Sequence, residues 1–217
     1  MELEDTLFQQ NLRYMILDQI AADQSVSEQV IDAMKKVPRH YFVDEYQQEE
    51  AYEDKPMQIA SGQTISQITT VAIQTDLLKV KAGDKVLEVG SGSGYQAAIL
   101  QQLGCRVYSV ERLKSLYEVA KKNLAKMNLD TTVELIHGDG FEGLPEFAPF
   151  DGIIVTCAAS EVPLKLKEQL VVGGRLVIPV GEKLQEMTVI EKTGVDEYNV
   201  IKAGFFNFVP MIRGTVD

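Results

Sequence analysis

Apolar residues in the first eighty positions recur at helical spacing. Phe8, Leu12, Met15, Ile16 and Ile20 fall on one face of a helix. Ser25-Val26-Ser27-Glu28 announces a second helix with a capping-box pattern. That helix continues with Val30, Met34 and Val37 on one side and ends at Pro38, whose ring cannot continue it. A third helical pattern runs through Ile68, Val71, Ala72, Thr75 and Leu78. From Lys85 the pattern changes to short apolar runs alternating with helical stretches. Strands are predicted at 85–89, 106–110, 132–136, 151–155 and 175–180. Helices are predicted at 94–103, along Leu113, Leu116, Tyr117, Ala120, Leu124 and Met127, and from Pro163 onward.

Strands alternating with helices mean βαβ units, hence a mostly parallel sheet covered on both faces. Runs at 187–190 and 200–208, around a turn at Gly194, predict an antiparallel edge on that sheet. The expected architecture is a doubly wound, Rossmann-like α/β fold in a single domain, 1–217. Residues 1–80 form a helical amino-terminal extension, and residues 81–217 form the core.

Composition narrows the functional classes. The 217 residues are 45% hydrophobic and 24% charged, ordinary values for a globular chain. A net charge of −11 repels phosphate backbones and argues against a nucleic-acid partner. Cys105 and Cys157 are far apart, and neither they nor His40 and His137 have metal-ligand spacing, so no metal site is expected. The acidic start, residues 1–5, and the lack of a long apolar run predict no signal peptide or membrane span. A reducing, cytoplasmic setting follows as the expectation. Oligomeric state is not legible.

The densest chemical signal is Val86-Leu-Glu-Val-Gly-Ser-Gly-Ser-Gly-Tyr95. A strand enters Gly90, Ser91, Gly92, Ser93 and Gly94 and passes directly into a helix. Glycines there allow a sharp turn and let a ligand approach the main chain. A dinucleotide fingerprint would read G-x-G-x-x-G, with a helix terminus facing a pyrophosphate. Here the spacing is G-x-G-x-G and Glu88 stands two residues earlier, where a carboxylate repels pyrophosphate and suits the amino group of a methionine moiety. S-adenosylmethionine is therefore the expected cofactor. Glu111, followed by Arg112, closes the second strand where an acid binds ribose hydroxyls; a solvated strand-end carboxylate is the plainer alternative. Asp139 and Gly140 follow the third strand, where an acid can accept from adenine, although Asp and Gly are also ordinary turn residues.

Gly62-Gln-Thr-Ile-Ser66, the glycine loop with Tyr95-Gln96-Ala97, His137-Gly-Asp-Gly140, Ala148-Pro-Phe-Asp-Gly-Ile-Ile-Val-Thr156, Ile178-Pro-Val-Gly181 and Phe208-Val-Pro210 extend the pattern. In these segments the chain resembles the protein-L-isoaspartate (D-aspartate) O-methyltransferase family, from Val37-Pro38-Arg39 to its end. The resemblance implies methylation of the α-carboxylate of isoaspartyl residues in damaged proteins and peptides. It implies Ser66 as the active-site serine, with Gln63, Thr64 and Ile65 at the junction of cofactor and substrate. Thr156, Val209 and Pro210 are implied near the bound peptide. The chain departs from the family's usual Pro-Ile-Gly at Gln58-Ile59-Ala60, from its usual Pro at Ile68, and from larger side chains at Thr69 and Thr70.

Little catalytic apparatus is expected. A carboxylate is already ionised at neutral pH, so its methylation needs no general base. Ser66 would orient the acceptor, serve as helix N-cap before Gln67, or do both. Two further readings stay open: methylation of another acceptor on the same scaffold, and a protein that binds S-adenosylmethionine without catalysis.

Overall fold

The computed structural model describes residues 5–24 and 26–217. Ser25 and residues 1–4 lie outside this range, so the first serine of the predicted capping box and most of the acidic start go undescribed. Helix α1 (Leu7–Asp23) opens instead with a capping box of its own, in which Thr6 and Gln9 satisfy each other's backbone amides. Its buried face is Arg13, Leu17 and Ile20, whereas Phe8 and Met15 are exposed. The buried face is offset from the predicted stripe: Arg13, which its charge marks as surface, turns inward and bonds Asp5 and the Tyr52 hydroxyl. Helix α2 (Glu28–Lys35) starts after Ser27, whose side chain makes no capping bond; the Ser27 amide donates to Asp76 Oδ1 at 3.0 Å.

A small hairpin, β1 (Met57–Gln58) and β2 (Thr64–Ile65), leads into α3 (Ile68–Leu78). The core follows: β3 (Lys85–Val89), α4 (Tyr95–Gln102), β4 (Arg106–Glu111), α5 (Lys114–Ala125) and β5 (Val133–His137). It continues with β6 (Phe150–Val155), the five-residue α6 (Leu164–Glu168), β7 (Leu170–Val180), β8 (Gln185–Gly194) and β9 (Glu197–Phe206). Seven of these strands pair in the order β5-β4-β3-β6-β7-β8-β9. Pairs from β5 through β7 are parallel, and β7-β8-β9 is an antiparallel meander, as the carboxyl-terminal pattern predicted. Strand β7 begins five residues earlier than expected, because Leu170 pairs with Phe150 across a register shift.

Alternate strand residues enter different apolar clusters. Val86, Val107 and Ile154 pack with the helices of the amino-terminal third and α4, while Leu87, Val110, Ile153 and Val155 pack on the opposite face with Leu166 of α6. Both faces are thus covered, as a parallel sheet requires. Strand order reverses between β3 and β6. At such a switch point the following connections leave in opposite directions and open a crevice at the strands' carboxyl ends.

Candidate active site

The glycine loop sits at that crevice. Gly90, Gly92 and Gly94 have φ of 96°, 52° and 88°, left-handed backbone that other residues adopt at a cost. At Gly90 a Cβ would stand 2.7 Å from Thr156 Oγ1. The approach is close because Thr156, just past β6, donates to Gly90 O at 2.6 Å and to Val89 O at 3.1 Å, stitching the two switch-point strands together. Asn123 of α5 supports the loop from behind by donating to Ser93 O at 3.0 Å.

Two carboxylates meet this loop from different sides. Both oxygens of Glu111 accept backbone amides, Gly92 at 3.0 Å and Leu113 at 3.0 Å, so its side chain is fixed in place. Glu88 is fully buried on the middle of the sheet. Ser109 donates to its Oε2, and the Ser91 hydroxyl bonds Ser109 at 2.6 Å. The other oxygen, Oε1, is buried without a hydrogen-bond partner among the described residues. Burial pushes the Glu88 carboxyl up to about 8; the Ser109 bond opposes this rise and the charge of Glu111 adds to it. Burial, together with Glu111, pushes the Cys157 thiol up to about 12, so Cys157 is a small wall residue and not a thiolate.

A cavity opens along the loop. Gln63, Gly92, Glu111, Arg112, Gly140 and Pro210 are among the residues that line it. A smaller pocket beside it holds Ile65, Ser66, Glu88, Ser91 and Ser93. An outer groove runs past Ser66, Thr69, Phe205, Phe206, Phe208 and Val209. Thr64 and Thr156 border all three spaces, which makes them the junction.

Most residues singled out in the sequence thus face one connected set of hollows. Gly94 and Asp139 do not line them. Gly94 caps α4 and packs against Ala120 and Leu124 of α5. Asp139 accepts from the Phe141 amide at 2.9 Å and from the Gly214 amide at 2.7 Å, anchoring the carboxyl-terminal segment whose Val209, Pro210, Met211 and Ile212 wall the cavity. The N-cap of α3 is Gln67, not Ser66, and Asp54 Oδ1 accepts the Thr69 amide of the first turn at 2.9 Å. Arg39, Asp54 and Phe205–Phe206 were missed as neighbours of the site. Only folding brings them there, and no local motif marks them.

The donor set discriminates between ligands. A buried carboxylate oxygen lacking a partner calls for a cationic or donating group. A fixed acid at the end of the neighbouring strand suits a diol. The residues present therefore fit S-adenosylmethionine, and fold and cavity together define an S-adenosylmethionine-dependent methyltransferase. A sequence profile of the protein-L-isoaspartate(D-aspartate) O-methyltransferase family matches residues 11–215, and the chain belongs to that family. It is 46% identical over 211 residues to the protein-L-isoaspartate O-methyltransferase of Christiangramia forsetii, covering 97% of this chain and 99% of that one. To its counterpart in Halorhodospira halophila it is 48% identical over 209 residues, covering 95% and 94%. A solved structure from Plasmodium falciparum, assigned as a protein-L-isoaspartate O-methyltransferase and bound to S-adenosyl-L-homocysteine, superimposes with a TM-score of 0.80. Its identity is 25%, covering 92% of this chain and 98% of that one. Another solved protein-L-isoaspartate O-methyltransferase superimposes with a TM-score of 0.83 at 28% identity, covering 91% of this chain and 65% of that one.

Proposed function

We infer that the protein transfers the methyl group of S-adenosylmethionine to the free α-carboxylate of L-isoaspartyl residues in damaged proteins and peptides. One observation carries the reading: the cofactor cavity and the groove share Thr64 and Thr156, and Ser66 lines the groove and the smaller pocket beside them. A second hollow that shares its wall with the cofactor cavity gives an acceptor group a seat of its own beside the methyl donor.

When bound, the cofactor supplies an electrophilic methyl group on a sulfonium. Everything else falls to the chain. Glu88 and Glu111 hold the cofactor's amine and ribose, and Gly90, Gly92 and Gly140 let it lie against the main chain. The acceptor carboxylate arrives ionised, so no residue has to remove a proton. Ser66 orients it; the serine hydroxyl forms no hydrogen bond to any described residue and is free to donate. Phe206, Phe208 and Val209 exclude water from the groove. Alignment of this kind is worth about 7–11 kcal/mol in favourable cases and supplies most of the acceleration.

The altered hairpin keeps its seat by other means. Its turn, at Ser61 and Gly62 with φ of 59° and 68°, bonds Ser115 of α5 through the Ser61 hydroxyl at 2.8 Å, and Ile68 is buried in the core. No described helix is long and apolar enough to cross a membrane. We propose a cytoplasmic setting and a protein, not nucleic-acid, substrate, in keeping with the free cysteines and the net charge of −11. The single-domain reading is supported by the apolar cluster that joins Leu17 and Met34 to Val86 and Val107.

The experiment is labelled methyl transfer to an isoaspartyl peptide beside its normal aspartyl twin. Incorporation into the isoaspartyl peptide alone is expected. Incorporation into neither would remove the substrate assignment and leave the methyltransferase class standing.

A further inference from the structure

We propose that Asp54 is a positioning residue for methyl transfer, anchoring the start of α3 so that the Ser66 hydroxyl faces the junction of cavity and groove. The inference rests on the acceptor reading above.

Ser66 occupies the joint between β2 and α3, and its side chain has no bond to another described residue to steer it. Its direction therefore comes from its backbone, which is held from two sides. On the inner side Arg39, fully buried, donates from Nη2 to Ser66 O at 2.8 Å and from Nε to Ala51 O at 3.0 Å. The guanidinium carbon lies 5.0 Å from the ring centre of Tyr95, the first residue of α4 after the glycine loop. Arg39 thus ties the acceptor side of the site to the cofactor side. It forms no ion pair among the described residues. A buried cation without a carboxylate partner costs stability, so placement explains its presence better than cohesion does.

On the outer side Asp54 is exposed, yet its carboxylate accepts three hydrogen bonds. They come from the Thr69 amide at 2.9 Å, the Thr69 hydroxyl at 2.7 Å and the Gln67 side-chain amide at 2.9 Å. The N-cap residue Gln67 makes no side-chain capping bond, so Asp54 satisfies a free amide of the first turn from fifteen residues away. Two of the three donors are on Thr69, where the family usually has a larger ring. The acid holds the first turn of α3 against the preceding loop, and Ser66 sits between that anchor and Arg39.

Asp54 is the side to test, because an exposed loop residue can be replaced without opening the core. Asp54→Ala, Asp54→Asn and Thr69→Val are compared with the wild type. The readouts are kcat and KM on an isoaspartyl peptide, cofactor affinity by calorimetry, and melting temperature. Misplacement of an aligning group by about 1 Å costs on the order of a hundredfold, so Asp54→Ala should lose about tenfold to a hundredfold in kcat. KM and cofactor affinity should stay unchanged. Asp54→Asn should recover part of the loss, since its carbonyl still accepts the Thr69 amide, and Thr69→Val should lose less than Asp54→Ala. Wild-type kcat in a folded Asp54→Ala overturns the inference and leaves the acceptor reading intact. So does a kcat loss that disappears when the assay is run well below the variant's melting temperature, which would mark a purely structural cap. If Asp54→Ala does not fold, unchanged kcat in Thr69→Val overturns the inference. A wild type inactive on the peptide overturns the acceptor reading, and this inference with it.

Discussion

The Gly92 amide donates to Glu111 Oε2 at 3.0 Å, tying the glycine loop to the end of β4. The same carboxylate accepts Leu113 N through its other oxygen, so it is held ready before any ligand arrives. Glu111→Ala should remove a charge-assisted contact to the cofactor and loosen the loop together. S-adenosylmethionine affinity should fall by about 1.5–3 kcal/mol, the scale of hydrogen bonds to charged groups. Calorimetric titration of the folded variant checks this; unchanged affinity would take Glu111 out of the binding site.

Glu88 makes the protein's stability depend on pH in a definite direction. Its carboxyl is raised from 4.5 to about 8 by burial in the fold, so the folded state holds a proton that the unfolded state has released across that interval. The resulting stabilisation is full below the unfolded value, declines as pH rises, and is lost by about 8. Glu88→Gln should flatten that slope and leave the variant relatively more stable than wild type at pH 8 to 9, measured by denaturant unfolding. Binding a cationic amine beside Glu88 lowers its pKa again, so cofactor binding near pH 7 should release a proton. Titrations in buffers of different ionisation enthalpy detect it, and equal apparent heats would contradict it.

Two glycines of the loop should fail differently. Gly90→Ala brings its new methyl group against Thr156 Oγ1 at 2.7 Å and strains a backbone at φ 96°. A stability loss of about 1–3 kcal/mol is expected. Gly92, at φ 52°, lies in a left-handed region that side chains tolerate better, and the nearest atom to an added Cβ is Ile59 Cδ1 at 3.5 Å. Gly92→Val puts a β-branched residue at that φ and should lose stability as well, but its distinguishing effect is a fall in cofactor affinity, because the residue borders both the cavity and the smaller pocket. Melting curves and titrations on both variants separate the outcomes; a Gly92→Val that binds cofactor normally would mean the loop faces away from it.

Ser66→Ala tests orientation of the acceptor directly. Since Gln67 is the N-cap of α3, the substitution should leave the melting temperature almost unchanged. Turnover on an isoaspartyl peptide should drop on the order of tenfold to a thousandfold, the range for a hydrogen bond made mainly in the transition state. A variant with full turnover would assign the serine no part in the reaction.

What the sequence disclosed was local. Strand β3 has the predicted bounds, and the loop after it was legible because glycine spacing reports backbone conformation directly. Glu88 could be placed on the strand, but not its hydrogen bonds to Ser109 and onward to Ser91, which need β3 and β4 side by side in register. Asp139 looked like a ligand of the cofactor by position. One of its two backbone partners, the Gly214 amide, lies 75 residues away, beyond the reach of any motif. Arg13 misled in the other direction, as a charged residue where periodicity wants polar surface, buried because Asp5 and Tyr52 take up its donors.

The two halves of the site are made of different material. The cofactor cavity borrows main chain at Gly90, Gly92 and Gly140 from the ends of the central strands, and a Cβ at Gly90 or Gly140 would press on Thr156 or on Val89 of β3. The groove is walled by side chains from the hairpin, the first turn of α3 and the end of β9, pieces that could be exchanged with little effect on the sheet. Of the residues at which this chain leaves its family's habit, Thr69 and Thr70 line the groove, Gln58 and Ala60 belong to the hairpin beside it, and Ile68 is buried at the start of α3. A lineage with this layout can retune which aged polypeptides it accepts while its methyl-donor chemistry stays as inherited.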